Sequence, residues 1–249
     1  MQNLLNFYQK WLGFKNFYHI IKNNTSKDTD EYIQNNNFLE SMKIKEVSNN
    51  KSNNKIEVKK GDYRYDVPVW FGNLNRSKTR IVVLGLEPRH TNQAFNIEKI
   101  NNKIFAAPFG IDRWNFESTV YRRLQNVYYH AFEELISQKE YFILFSDVVK
   151  FYKVYDVNNK NKINDKKARE YFNNINLEEQ NIKKLFKELE LIKPTHVLTL
   201  GNDNHKKISR LLKGKYYTDK APYLHKIRHP ARGGHIIAKK QMKDLFNFP

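Results

Sequence analysis

The chain has 249 residues, 40% of them hydrophobic, which suffices to bury the core of one ordinary domain. Its 44 Lys and Arg against 26 Asp and Glu give a formal net charge of +18, as expected for a phosphate-rich partner such as nucleic acid or a membrane surface. A biased genome composition, rich in Lys and Asn, would also produce this charge. The absence of cysteine excludes disulfides, thiol nucleophiles, thiolate-bound metals and iron–sulfur clusters.

The histidines and the amino terminus argue against a metal site and a membrane-spanning segment. No pair among the eight histidines has helical ligand spacing supported by an acid, so we expect no metal and no organic cofactor. The amino terminus has no basic region followed by an apolar stretch long enough to span a membrane. We therefore expect a soluble, cytoplasmic protein. We also expect a monomer without a membrane partner.

The first region of the chain is aromatic and then polar. Residues 2–22 carry apolar and aromatic side chains at roughly helical spacing, which predicts a helix that packs in the core or docks a protein partner or membrane. Residues 23–62 are polar, and two short segments at 43–47 and 55–58 suggest a hairpin or a mobile arm. We therefore separate residues 1–65, as an aromatic helix with a polar Lys/Asn-rich arm, from the rest.

After Pro68, short apolar runs alternate with longer helical patterns. The predicted strands cover 80–85, 141–148, 195–201 and 223–228, and the predicted helices cover 117–136, 177–190, 203–213 and 238–247. Such alternation is typical of βαβ crossovers around a parallel sheet. The predicted fold class is α/β, a three-layer α/β/α arrangement with a central, mainly parallel four-stranded sheet. We expect the Lys- and Asn-rich stretch 158–167 to be a solvated basic loop that could contact a DNA backbone.

Three polar motifs follow or end predicted strands. They are the segments 85–90 (GLEPRH), 145–150 (FSDVVK) and 229–234 (HPARGG). In an open α/β sheet, ligands bind beyond the carboxyl ends of the strands. We therefore expect the three motifs to converge on one site.

In this order, the motifs resemble those of the uracil-DNA glycosylase superfamily, whose first motif reads like Gly-Gln-Asp-Pro-Tyr-His and whose last begins with His-Pro. The segment 108–110 (PFG) is similar to its stacking segment, and 197–201 (VLTLG) to the strand before its last helix pair. The resemblance covers roughly residues 67–246 and implies a glycosylase-like α/β/α domain over 66–249. It also implies hydrolysis of the N-glycosidic bond of a base flipped out of double- or single-stranded DNA.

The resemblance assigns the two catalytic roles. Breaking an N-glycosidic bond produces a cationic sugar and an anionic base, so a carboxylate and a hydrogen-bond donor are required. Glu87 takes the position of the motif-one acid, where it would stabilise the sugar cation and position water; it is one methylene longer than the family's Asp. His229 would donate to the oxygen beside the glycosidic nitrogen. The competing structural roles are a turn cap for Glu87 and a satisfied structural histidine for His229.

Two departures from the family pattern affect which base the site would accept. Asp147 replaces an Asn that both donates to and accepts from uracil, and an ionised carboxylate only accepts, which suits the N4 amine of cytosine. Alternatively, Asp147 has drifted or pairs with Lys150. Arg89 replaces a tyrosine that rejects C5 substituents, and its guanidinium could hydrogen-bond such a substituent or clamp a phosphate.

The remaining site residues are expected to contact the flipped base and the DNA backbone. Phe109 would stack on the base, with Trp114 as the alternative stacking residue and core packing as the competing role. Arg232 is our first candidate for the wedge that fills the vacated stack, because Gly233 stands near the family's wedge position. The predicted DNA contacts are His90, Lys150, Arg228, Arg232, Gly233 and His235.

Three functions remain open at this stage. The first is a glycosylase acting on a cytosine-type base, enlarged at C5 by a hydroxymethyl group or an attached sugar, in defence against viral DNA. This follows because a glycosylase for ordinary cytosine would damage its own genome. The second is uracil excision in base-excision repair, with Asp147 protonated in a dry pocket. The third is a noncatalytic DNA-binding subunit with the same fold, which docks a partner through the amino-terminal helix.

Overall fold

Four parallel strands in the computed structural model end at the same edge of a five-stranded sheet. The structure describes residues 2–12, 59, 61–86, 96–100, 102–106, 130–138, 140–153, 175–213, 222–231 and 233–248. The strands are β1 Tyr63–Asp66, β2 Val69–Phe71, β3 Thr79–Gly85, β4 Asn96–Ile100, β5 Lys103–Ala106, β6 Tyr141–Asp147, β7 Phe151–Lys153, β8 His196–Leu200 and β9 Tyr223–Ile227. The helices are α1 Gln2–Leu12, α2 Ile175–Ile192, α3 Asn202–Lys213 and α4 Gly234–Phe246, with a further helical segment over 130–136.

The main sheet has the strand order β2-β6-β3-β8-β9. β6, β3, β8 and β9 are mutually parallel, and β2 pairs antiparallel with β6 at the edge. The predicted α/β class with a central, mainly parallel sheet is therefore confirmed. The sheet has five strands instead of the predicted four, because the short edge strand β2 was not anticipated.

Burial explains why the central strands could be predicted. The side chains from Ile81 to Leu84 and from Phe142 to Phe145 are all almost completely buried. A strand covered on both faces reads as a continuous apolar run. Helices flank the sheet, and α2 contributes Leu185, Leu189 and Ile192 to the same hydrophobic core. The four predicted strands and the predicted helices over 177–190, 203–213 and 238–247 thus correspond to observed elements, whereas residues 117–129 of the remaining predicted helix lie outside the described residues.

The last helix begins earlier than predicted. α4 starts at Gly234, whereas the sequence pattern placed its start at residue 238. Gly233 precedes it in the left-handed conformation, with a φ of 79° that favours glycine. The helix therefore starts directly after the third motif.

A second, four-stranded sheet has the order β4-β5-β1-β7 and was not predicted. β1 pairs parallel with β5 and antiparallel with β7. β7 begins at Phe151, directly after the second motif. This small sheet therefore adjoins the carboxyl-terminal edge of the main sheet.

Helix α1 packs on the same core as the main sheet. Leu4, Tyr8 and Leu12, spaced four residues apart, are buried in the hydrophobic core, and the ring of Tyr8 stacks on that of Trp70 at 6.1 Å. This face is therefore occupied by the protein itself. The boundary expected between residues 65 and 66 lies inside β1. The predicted hairpin at 43–58 lies outside the described residues.

Candidate active site

The first and second motifs are joined by backbone hydrogen bonds. Gly85 and Asp147 are register partners at the ends of β3 and β6. Beyond them, the N–H of Val148 donates to the carbonyl of Gly85 at 3.0 Å, and the N–H of Val149 donates to the carbonyl of Leu86 at 2.9 Å. Leu86 immediately precedes Glu87 in the sequence. The two motifs therefore leave the sheet side by side.

The third motif leaves the same edge two strands away. β8 lies between β3 and β9, and adjacent strands are about 4.8 Å apart, so the ends of β3 and β9 are separated by about 10 Å. His229 follows the last residue of β9 by two positions and is exposed. The first and third motifs are therefore separated by the width of one intervening strand, β8.

The end of β8 lies between the first and third motifs. Gly201 has a φ of 87°, and its N–H donates to the carbonyl of Ile227 at 2.9 Å. A Cβ at position 201 would lie 3.9 Å from the Cβ of His229. The left-handed conformation favours glycine here, and the turn packs next to the catalytic candidate.

One hydrogen bond fixes the tautomer of His229. The backbone N–H of Ala231 donates to Nδ1 of His229 at 3.3 Å. Because Nδ1 accepts this bond, a neutral imidazole carries its proton on Nε2. His229 therefore presents an N–H donor on the far side of its ring.

The loop around His229 is closely packed because Gly234 has no side chain. The N–H of Gly234 donates to the carbonyl of Ala231 at 3.2 Å. A Cβ at position 234 would overlap the carbonyl oxygen of His229 and lie 3.2 Å from Cγ of Arg228. Gly234 thus allows α4 to begin directly against the loop that carries His229.

A sequence model of the uracil DNA glycosylase superfamily matches residues 71–244. The chain belongs to this superfamily. Its members are generally DNA glycosylases, which supports a function of this type, acting on DNA. Comparison with curated proteins gave no match.

The superfamily match covers all four parallel strands, Asp147 and His229. It leaves α1 and β1 outside. No helix in the described part of the chain is long and apolar enough to cross a membrane. The described ranges also contain no cluster of three or more His or carboxylate side chains that could hold a metal ion.

Several residues predicted for this glycosylase-type site lie outside the described residues. They are Glu87, Arg89, His90, Phe109, Trp114 and Arg232. Their assignments remain predictions from the sequence. Among the predicted DNA contacts that are described, Arg228 and Gly233 are exposed and His235 is half-buried.

Asp147 lies at the predicted edge but is buried. Its exposed fraction is 1%, and its backbone N–H donates to Oδ2 of Asp66 at 3.0 Å. A base that reaches the Asp147 carboxylate must therefore displace the groups that cover it. The position of Asp147 at the end of β6 agrees with a base-reading role. Because Asp147 is buried, that role requires the surrounding groups to move.

The prediction that Lys150 contacts a DNA phosphate is contradicted by its position. Its side chain is completely buried, and Nζ lies 2.6 Å from Oε2 of Glu188 and 3.3 Å from Oδ2 of Asp66. An ammonium that is sealed inside the protein and paired with two carboxylates is not available to phosphate. Lys150 is instead the cation of a buried charge cluster.

This buried charge cluster consists of Tyr8, Asp66, Ser146, Lys150 and Glu188. The Tyr8 hydroxyl donates to Oε1 of Glu188 at 2.7 Å, the Ser146 hydroxyl donates to Oδ2 of Asp66 at 2.7 Å, and Lys150 also donates to the Ser146 hydroxyl. It links α1, β1, β6 and α2 beneath the second motif. The cluster therefore anchors the end of β6, where Asp147 is located.

Electrostatic effects within the cluster oppose each other. Burial by itself would lower the pKa of Lys150, but the charges of Glu188 and Asp66 outweigh it and raise the pKa, with a further contribution from Asp147. Burial raises the pKa of Asp66 to about 6 even though Lys150 acts in the opposite direction. Burial and the neighbouring Glu188 raise the pKa of Tyr8 well above its usual range. One ammonium thus balances more than one carboxyl group.

One residue of this cluster, Glu188, could have been recognised from the sequence. Glu188 lies in the apolar stripe of α2, between Leu185 and Leu189, and is completely buried. A carboxylate inside a buried stripe requires a cationic or donating partner. That requirement indicates a buried cation or hydrogen-bond donor elsewhere in the chain.

A second feature that the sequence analysis missed is an exposed apolar pair beside the third motif. Ile236 is 69% exposed and Ile237 is 52% exposed, and both lie in the first turn of α4. Apolar side chains at this position are suited to enter an opened base stack. They are therefore alternatives to Arg232 as the wedge.

Proposed function

We propose that this protein is a DNA glycosylase that hydrolyses the N-glycosidic bond of a flipped, cytosine-type base. The observation that carries the proposal is the Nε2 donor of His229 at the edge of the sheet where the first and second motifs also end. Superfamily membership supports the reaction class, and the formal charge of +18 supports DNA as the partner.

The reaction separates charge, and the proposed residues are assigned accordingly. The bond between C1′ and the base nitrogen breaks, and its electron pair leaves with the base. Nε2–H of His229 donates to the base oxygen on which this negative charge accumulates. Glu87 stabilises the cationic sugar and accepts a proton from the water whose oxygen bonds to C1′. The departing base then takes up a proton from solvent.

The identity of the base depends on the charge of Asp147. An ionised carboxylate accepts hydrogen bonds from the N4 amine of cytosine and repels the O4 oxygen of uracil. Lys150 supports the ionised form, because Asp147 is among the carboxylates whose charge raises the pKa of that lysine. Arg89 replaces the tyrosine that excludes C5 substituents, which favours a hydroxymethylated or glucosylated cytosine.

The burial of Asp147 favours a second candidate function. Since Asp147 is only 1% exposed, desolvation disfavours its ionised form. A protonated Asp147 has an O–H donor and could bind O4, which would permit uracil excision in DNA repair. A noncatalytic DNA-binding subunit is the third candidate, and it would function without the Nε2 donor of His229.

Binding of DNA would use the exposed basic edge and the aromatic predicted to stack on the base. Arg228 is exposed next to His229, and its backbone N–H is held by Oε1 of Gln241 at 2.7 Å. Phe109 would supply stacking worth roughly 1 to 3 kcal/mol. These contacts would offset the few kcal/mol needed to extract a base from a duplex.

A role in defence against viral DNA follows from the proposed base. Hydrolysis of unmodified cytosine would damage the host genome, whereas modified cytosine marks a foreign one. A glycosylase restricted to modified cytosine would thus leave host DNA intact.

The test is to incubate the protein with DNAs that contain uracil, cytosine, 5-hydroxymethylcytosine or its glucosylated form, and to identify the released base by mass spectrometry. We expect release of a modified cytosine. Asp147→Asn should gain release of uracil, and Asp244→Asn, an exposed site in α4, is the matched control. Release of uracil alone by the unmodified protein would reject the cytosine assignment, and release of nothing would favour the noncatalytic subunit.

A further inference from the structure

The outer face of the second sheet is aromatic. Along β1, Tyr63 and Tyr65 are half-buried, whereas Arg64 and Asp66 are almost completely buried. Side chains alternate between the two faces of a strand, so both tyrosines lie on the outer face. The small sheet therefore presents two partly exposed rings in a row.

Two lysines lie on the same face as these rings. Lys103 of β5 and Lys153 of β7 are both register partners of Tyr63, and directly paired residues share a face. Nζ of Lys103 lies 5.8 Å from the centre of the Tyr65 ring, and Nζ of Lys153 lies 6.0 Å from the centre of the Tyr63 ring. The amines are thus placed beside the rings.

The face continues towards helix α2. The rings of Tyr65 and Phe151 are stacked, with centres 5.6 Å apart and an angle of 15° between their planes. Nζ of Lys184 lies 6.0 Å from the centre of the Phe151 ring and 5.5 Å from that of Trp11. The surface is therefore both aromatic and positively charged.

This face adjoins the candidate active site. The backbone N–H of Asp66, the last residue of β1, donates to the carbonyl of Lys150 at 2.7 Å. Asp147 is joined to the same Asp66 through its backbone N–H. The end of β1 therefore lies beside the end of β6, and a polynucleotide strand with one base at the candidate site could continue across the small sheet.

We propose that the face formed by Tyr63, Tyr65, Lys103, Lys153 and Lys184 binds single-stranded DNA next to the flipped base. Partly exposed rings on a sheet stack on unpaired bases, and neighbouring lysines pair with phosphates. The bases of an intact duplex are stacked on each other and cannot reach such rings. The proposal rests on the proposed function for its substrate, and it adds a strand preference to that function.

The test measures binding of fluorescein-labelled single-stranded DNA, duplex DNA and single-stranded RNA by anisotropy. Tyr63→Ala/Tyr65→Ala should weaken binding of single-stranded DNA by about tenfold or more, with little change for duplex. Tyr63→Phe/Tyr65→Phe keeps both rings and should bind like the unmodified protein. Circular dichroism checks that each variant is folded.

A lysine pair tests the same face without removing a ring. Lys103→Ala/Lys153→Ala should reduce the slope of log affinity against log salt by about 1.4 for single strands. The control is Lys78→Ala/Lys213→Ala, which removes two exposed lysines. Lys78 precedes β3 and Lys213 ends α3, so both lie at the edge of the main sheet opposite to the candidate active site. This control should leave the slope unchanged.

The outcomes separate this inference from the proposed function. Single-strand binding that depends on this face, without release of any base, would retain the inference and reject the glycosylase. If the unmodified protein releases a base, and the Tyr→Ala and Lys→Ala variants bind single-stranded DNA normally, the inference is rejected and the glycosylase is retained. Tighter binding of RNA or of duplex DNA than of single-stranded DNA would also overturn it.

Discussion

The backbone N–H of Ala231 donates to Nδ1 of His229, so the ring of His229 is oriented by the same loop that carries it. Pro230 stands between the two residues and restricts His229 to an extended conformation. The remaining ring nitrogen is thereby defined as a hydrogen-bond donor. This arrangement is what a glycosylase needs to stabilise a departing base anion.

Removal of this donor should slow the chemical step. We expect His229→Ala to reduce the rate of base release by about 100- to 1,000-fold with little effect on DNA affinity, because the donor acts mainly in the transition state. Single-turnover kinetics measure the rate. His130→Ala, an exposed histidine that contacts Glu133, is the control and should release base at the normal rate. Equal rates for the two variants would exclude a catalytic role for His229.

The close approach between α4 and the loop that carries His229 can be tested at Gly233 and Gly234. Gly234→Ala should displace the carbonyl of His229, because the added Cβ overlaps it, and the rate of base release should fall at least tenfold. The Cβ added in Gly233→Ala meets no neighbouring atom within 4 Å, so this variant strains only the backbone. It should lower the free energy of unfolding by about 1 to 2 kcal/mol and reduce the rate of base release less than Gly234→Ala does. A larger loss of activity in Gly233→Ala would contradict this account.

Lys150 should be required for stability. Lys150→Met leaves Asp66 and Glu188 buried without their cation, so we expect a loss of about 3 to 5 kcal/mol in the free energy of unfolding. Lys150→Met/Glu188→Gln removes one uncompensated charge and should recover part of that loss. Chemical denaturation measures both variants. Lys187→Met breaks only an exposed pair with Glu190 and should cost less than about 1 kcal/mol.

The pKa of Asp66 predicts a specific pH dependence of stability. Because burial raises this pKa from 3.8 to about 6, the native state retains a proton that the unfolded state loses between these values. The Asp66 contribution is therefore complete at low pH and is lost as the pH rises through about 6. Relative to Asp66→Asn, the unmodified protein should lose about 2 kcal/mol of unfolding free energy between about pH 4.5 and about pH 7.5. Parallel pH profiles for the two proteins would be inconsistent with the raised pKa.

The sequence predicted the central sheet but not the small one, for a physical reason. β3 and β6 are buried on both faces and read as uninterrupted apolar runs. β1 has the sequence Tyr-Arg-Tyr-Asp, in which the charged residues face inwards, so it reads as a polar segment. Its pairing with β5 and β7 depends on contacts that are distant in the sequence, which local patterns do not encode.

The positions of site residues could be predicted where a motif ends a strand. They could not be predicted where contacts with distant residues determine whether a side chain is buried. Asp147 and His229 lie at the expected edge because parallel strands bring their carboxyl ends together. Lys150 was wrongly expected at the surface, because its partners are 38 and 84 residues away in the sequence. Nothing in the local pattern around Lys150 indicates those two carboxylates.

The most direct test of the central claim is the release of free base, measured by mass spectrometry from single-stranded DNA that contains each candidate base. The unmodified protein should release one base, and Glu87→Gln/His229→Ala should release none while still binding the DNA. Release of base by that double variant at the normal rate, or no release from any DNA by the unmodified protein, would contradict the account.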